Sequence, residues 1–174
     1  IAHPEMCRSI TVASAGAGSD AGDRERLVAS WQALSESMVA EGMETFADGY
    51  AHGAERLQFL RKDPVGWAKF HAGLAAHSAQ GSSLTFQGVQ MKRPTIYQVE
   101  KQLQEIKIPT LVLIGDEDTP CVEPAIFMKR NIRSCGLAVF PQAGHTINLE
   151  EPDLYNRTVL DFLIAVEAGK WAGA

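Results

Sequence analysis

Thr110-Leu111-Val112-Leu113-Ile114 is an unbroken apolar run, closed by Pro109 on one side and Gly115 on the other. A strand with one wet face alternates apolar and polar residues, so a continuous run predicts a strand buried on both faces, as in a parallel sheet. Leu137-Ala138-Val139-Phe140 repeats the signal, with a helical stretch, Glu123 to Asn131, between the two. Pro152 and Asp153 then open a last helix whose inner stripe is Leu154, Tyr155, Val159, Phe162, Leu163 and Val166. Strand, helix, strand, helix is the pattern of βαβ units and a parallel sheet.

The upstream chain has a different character. Ser9 to Ser14 reads as a short β-branched strand running into the small-residue loop from Ala15 to Gly22. From Arg24 to Gly42, Leu27, Val28, Trp31, Leu34, Met38 and Val39 recur at helical spacing, with Asp23 as N-cap and Gly42 as stop. Helix continues from Met43 to Ala79, interrupted near Gly53 and at Asp63-Pro64, where Asp63 suits the cap and Pro64 the first turn. Gly81 to Pro94 reads as irregular, and Ile96 to Glu105 as a short helix presenting Ile96, Val99 and Leu103. The expected fold class is α/β, with about three parallel strands and a mainly helical insertion between the first and the second. The divisions are 1–19 for the first strand and its loop, 20–95 for a helical lid, and 96–174 for the βαβα segment.

Composition removes several functions. The 174 residues suffice for one domain with a real core, and 45% hydrophobic with 21% charged residues suits a globular chain. The net charge is -5 and the basic residues are scattered, which argues against nucleic acid. Cys7, Cys121 and Cys135 are too few and too dispersed for a disulfide framework or a zinc site, so a cytoplasmic setting is expected. No apolar run approaches a membrane span. The chain opens on Ile1-Ala2-His3-Pro4 and passes directly into a strand, which reads like a cut through the end of a helix; a fragment is expected.

Two loops carry the chemistry. In open parallel sheets, functional residues gather beyond the carboxyl ends of the strands. One such end carries Gly115-Asp116-Glu117-Asp118-Thr119-Pro120, and the next carries Pro141-Gln142-Ala143-Gly144-His145-Thr146. A carboxylate and an imidazole leaving adjacent strands on one edge can form a pair in which the acid orients the histidine and stabilises its protonated form. His3, His52, His71 and His77 lie in an end or in helices, without flanking loop signals. Glu150, Glu151 and Asp153 read as charges favoured at a helix N-terminus, and Cys121 as a small buried residue.

PTLVLIGDEDTP from Pro109 to Pro120 and GHTINLEEP from Gly144 to Pro152 resemble the acid and histidine segments of the α/β-hydrolases, and the helical stretch resembles that family's cap. The resemblance implies a triad in the chain order nucleophile, acid, histidine, with Asp118 and His145 as the last two members and no metal or cofactor. Asp116 and Glu117 in the same loop, and Asp20 after the first strand, compete for the acid's place within that resemblance. It also implies a nucleophile elbow with small residues two before and two after the nucleophile. Ser14 has Val12 before it and a glycine-rich loop after it, Ser83 has Thr85 after it and no strand leading in, and no cysteine meets the spacing. The expectation is therefore the C-terminal half of a lidded hydrolase acting on an ester or related bond of a small apolar substrate. It would be inactive alone, and would self-associate or pair with its N-terminal half. The competing expectation is a non-catalytic module that completes a partner chain.

Overall fold

A computed structural model describes residues 3–19, 22 and 24–171. Its sheet is parallel throughout, in the order β1 (Ile10–Ala13), β2 (Thr110–Gly115), β3 (Cys135–Phe140). The register sets Val12 beside Val112 and Val112 beside Leu137. All six residues of β2 are buried, as the unbroken apolar run requires. Because successive side chains point to opposite faces, Val112 and Ile114 meet Leu103, Ala125 and Met128 on one side. Leu111 and Leu113 meet Phe140, Ile147 and Phe162 on the other. Full burial of each such side chain contributes about 1.5–3 kcal/mol, so β2 anchors both layers.

The layers are α6 (Glu100–Gln104) with α7 (Thr119–Asn131) on one face, and α8 (Ile147–Glu150) with α9 (Pro152–Glu167) on the other. Between β1 and β2 run α1 (Arg24–Ala40), α2 (Met43–Ala51), α3 (Leu57–Lys62), α4 (Pro64–Ala75) and α5 (Ala79–Thr85). Met38, Met43 and Phe46 form their own core, joined by Leu34, Tyr50, Leu74 and Phe86. Asp63 caps α4 by accepting from the amide of Gly66, with Pro64 in the first turn. The caps assigned to Asp23 and the competitor acid Asp20 lie outside the described residues.

Four expectations need correction. The strand β3, read as buried like β2, leaves Val139 exposed. The stretch from Gly81, read as irregular, is largely helical: α5 is capped by Ser78 and followed by a wide helical turn, Phe86–Gln90. Glycine and serine are weak helix formers, but Ser83 is buried and bonds the Ser35 hydroxyl of α1 at 2.9 Å, so a tertiary contact overrides local preference. Helix α7 starts at Thr119 rather than Glu123, because Pro120 in its first turn needs no amide partner. Leu163 lies on the exposed side of α9, not in its inner stripe.

One guanidinium clasps the two ends of the insertion. Arg24 donates to the carbonyl of Gly18 on the outgoing chain and to those of Gln90, Met91 and Arg93 on the returning one. Arg93 donates back to Ala17, and the amide of Ile96 to the Ser19 hydroxyl.

The loops after β2 and β3 touch backbone to backbone. A Cβ at Gly115 would stand 2.2 Å from the Ala143 carbonyl oxygen and 2.3 Å from that of Gly144, whereas a Cβ at Gly73 in α4 would meet nothing within 4 Å. Gly115→Ala should lower stability by about 1–3 kcal/mol through overpacking, and Gly73→Ala should raise it by about 0.4–1 kcal/mol. Urea unfolding midpoints of the two variants check both signs.

Candidate active site

Asp118 occupies the N-cap position of α7 without capping it. An aspartate there ordinarily accepts an amide of the first turn. Here the backbone carbonyl of Asp118 takes the amides of Cys121 and Val122, and the side chain turns elsewhere. Its Oδ2 accepts from Nδ1 of His145 at 2.9 Å. The carboxylate is 1% exposed and the imidazole 29%. A carboxylate can only accept, so this bond places the imidazole proton on Nδ1 and leaves Nε2 basic. Among the described residues Nε2 makes no hydrogen bond, and the ring lines a cavity of about 320 Å³ shared with Ser14, Trp31, Tyr50, Phe86 and Arg93.

The competing acids are occupied otherwise. Asp116 accepts from the Ala143 amide, tying the acid loop to the histidine loop, and Glu117 accepts from the Gln58 amide. Among the other histidines, His71 bonds Asp48 at 2.7 Å, His52 bonds the Asp48 carbonyl at 2.8 Å and His3 bonds Glu5. The structure therefore brings together the two residues singled out by the sequence, Asp118 and His145, and no other acid–histidine pair beside the sheet among the described residues.

Glu150 does more than its position near a helix suggests. It is buried and accepts from the Gly144 amide at 2.7 Å, the Thr146 amide at 3.0 Å and the Thr146 hydroxyl at 2.9 Å. These bonds clamp the backbone on both sides of His145. Nothing in the local sequence separates such a residue from an ordinary helix-end charge. Helical-insertion residues also enter the site. The carbonyl of Glu55 accepts from the His145 amide at 2.7 Å, and a Cβ at Gly144 would stand 2.0 Å from that same oxygen.

Ser14, set aside for its spacing, lies closer to the site than its neighbours in sequence imply. It follows β1 in a left-handed conformation, φ 46°, and its buried Oγ has no hydrogen-bond partner among the described residues. Yet no helix follows it directly, and no bond links it to His145 among the described residues.

Behind the pair lies Cys121. Its Sγ, an Asp118 oxygen and a His145 nitrogen all fall within 4.8 Å of one another. This resembles a ligand cluster, but Nδ1 is committed to the carboxylate. Burial, and next the neighbouring Asp118 charge, push the Cys121 thiol from 9.0 up to about 12, so it stays protonated and packs as a small apolar side chain. Burial raises the Cys135 thiol as well, while Cys7 is exposed. With a thiol-specific chromogenic disulfide at pH 8, one thiol, Cys7, should react fast in the folded chain, and Cys121 only after unfolding. A raised pKa favours the folded thiol. The stability from Cys121 is thus complete below pH 9.0 and disappears as the pH climbs toward about 12.

No protein-family model matches the chain. A putative 2-succinyl-6-hydroxy-2,4-cyclohexadiene-1-carboxylate synthase of Bacillus subtilis is 21% identical over 94% of this chain and 60% of its own length. The 3-oxoadipate enol-lactonase 2 of Acinetobacter baylyi is 28% identical over 74% of the chain and 46% of its own. Among solved structures, MenH from S. aureus superposes with a TM-score of 0.82 at 21% identity, covering 92% of this chain and 60% of that one. This chain therefore spans between 46% and 60% of the length of these proteins.

Proposed function

Because this chain has the α/β-hydrolase fold, we propose that it carries the acid and the base of a hydrolase triad, Asp118 and His145. Its nucleophile would be supplied from outside these residues, and the helical insertion would form the lid. The carrying observation is the bond from Nδ1 of His145 to the buried carboxylate of Asp118, which leaves Nε2 open to a cavity. In such an arrangement Nε2 takes the proton of an attacking hydroxyl and later returns it to the leaving group or activates water. The carboxylate holds the tautomer and stabilises the imidazolium as it forms. Trp31, Tyr50 and Phe86 around the cavity suit a small apolar substrate with an ester, lactone or related bond. The names of the similar proteins are compatible with that class without choosing within it.

In a form that includes the nucleophile, Asp118→Asn should lower kcat about 10⁴-fold with the fold retained, since the histidine then favours the wrong tautomer. The chain alone should hydrolyse aryl esters no faster than its denatured control. Ser14 supports a second reading, because it lines the same cavity in a strained conformation. Turnover by the chain alone that disappears with Ser14→Ala would make Ser14 the nucleophile and overturn the first reading.

The sheet supports a proposal on assembly. Among the described residues β1 pairs with β2 alone, and Thr11 and Ala13 on it are exposed. The strand carries no lysine, proline or charge to discourage pairing. We expect it to pair with a second copy or with a nucleophile-bearing half. Light scattering after size exclusion at micromolar concentration should give a mass above that of one chain; a stable monomer would contradict this.

A further inference from the structure

Asp118 holds an imidazole with one oxygen and leaves the other unmatched. Oδ2 takes the His145 proton at 2.9 Å, whereas Oδ1, buried, accepts no hydrogen bond among the described residues. A buried acceptor of that kind is destabilising, the more so when it carries charge. For a carboxylate at the start of a helix, the ordinary donors are the amides of the first turn. In α7 those amides are occupied or missing. Pro120 has no N–H, and the amides of Cys121 and Val122 go to the backbone carbonyl of Asp118 at 2.8 and 3.2 Å.

Of the side-chain donors in that turn, Thr119 is exposed and lines a separate cavity, while Cys121 is buried beside the acid. Cys121 stands three residues after Asp118, a spacing that puts two side chains on one face of a helix. Its Sγ lies within 4.8 Å of an Asp118 carboxylate oxygen. Burial first, and then the Asp118 charge, push this thiol up to about 12, so it retains its proton. Sγ approaches the Ser14 carbonyl at 3.7 Å, a long contact to a neutral acceptor. The hydrogen turns about the single Cβ–Sγ bond, and a carboxylate is the stronger acceptor of the two. The other cysteines are placed differently: Cys135 bonds the Gly136 carbonyl, and Cys7 is exposed.

We propose that Cys121 is a positioning residue for the acid: its S–H donates to Oδ1 of Asp118, which keeps Oδ2 presented to His145. Sulfur suits this part because a thiol is a weak donor. A strong donor would draw charge from the carboxylate that must stabilise the imidazolium. What the pair does rests on the acid-and-base reading above, whereas the thiol–carboxylate contact depends on Asp118 and Cys121 alone.

The infrared S–H stretching band reads this bond directly, since it falls in frequency as the thiol's acceptor strengthens. In the full chain carrying Cys7→Ser and Cys135→Ala, Cys121 alone contributes. Its band should lie below that of a thiol bonded to a backbone carbonyl, and should rise in Asp118→Asn, where the acceptor loses its charge. A band unmoved by Asp118→Asn overturns the proposal. The consequence for the pair is read, with the native cysteines in place, from the His145 Nδ1 proton by nuclear magnetic resonance. In Cys121→Ala that proton should exchange with water about tenfold faster, the scale of one lost hydrogen bond. Cys121→Ser, which restores a donor, should slow it again. Unchanged exchange in Cys121→Ala overturns the positioning role, and so does fast exchange in Cys121→Ser, because the sulfur would then only fill space. Acceleration by Ser14→Ala in place of Cys121→Ala assigns the donor to the Ser14 hydroxyl and also overturns it. If circular dichroism shows Cys121→Ala unfolded, Cys121→Val, which has similar bulk and no donor, takes its place. Free exchange of the Nδ1 proton in the unaltered chain, with the S–H band still answering to Asp118→Asn, supports the thiol contact and contradicts the acid–histidine reading instead.

Discussion

Close backbone contact at two glycines holds this site together. Gly115 lets the loop after β2 lie against the carbonyls of Ala143 and Gly144, and Gly144 lets the loop after β3 lie against the carbonyl of Glu55. At either place a methyl group would fall inside van der Waals contact of an oxygen on a main chain that cannot rotate away. Asp118 follows the first glycine by three residues and His145 follows the second directly. The 2.9 Å bond between them therefore inherits its geometry from two sheet strands in register and a helical insertion docked on top. This differs from a pair built on flexible side chains, where ordering the groups would itself cost free energy.

Polar groups around the pair take fixed parts. Glu150 satisfies three donors on either side of His145, and Asp116 satisfies the Ala143 amide, so the histidine loop is held from both ends. Cys121 fills the space behind the acid as a neutral thiol. Asp118 is left as the buried carboxylate whose side chain is not spent on its own helix. Its Oδ2 accepts from the imidazole, while its buried Oδ1 has no hydrogen-bond partner among the described residues, and the same bond leaves the opposite ring nitrogen without a proton.

The helical insertion contributes position as well as cover. Its Glu55 carbonyl fixes the histidine backbone, while Arg24 and Arg93 tie its two ends to each other and to the loop after β1. Tyr50, Phe86 and Gln90 of the insertion line the cavity that His145 also lines.

Much of this was legible in the residues themselves. The unbroken run at Thr110–Ile114 demands two covered faces, which implies a parallel sheet, and strand-end loops rich in Gly, Asp and His mark the functional edge. That Asp118 and His145 would meet was legible because each follows one of two adjacent strands on the same edge of the sheet. Helix α5 escaped detection because its Ser and Gly residues favour turns locally, and the Ser35–Ser83 bond that outweighs them joins residues 48 apart. The clamp by Glu150, the Glu55 contact, the strained Ser14 and the cavity beside His145 were invisible for the same reason. Each depends on which distant segments the packing brings within a few ångströms, and no periodicity or spacing along the chain encodes a distance through space.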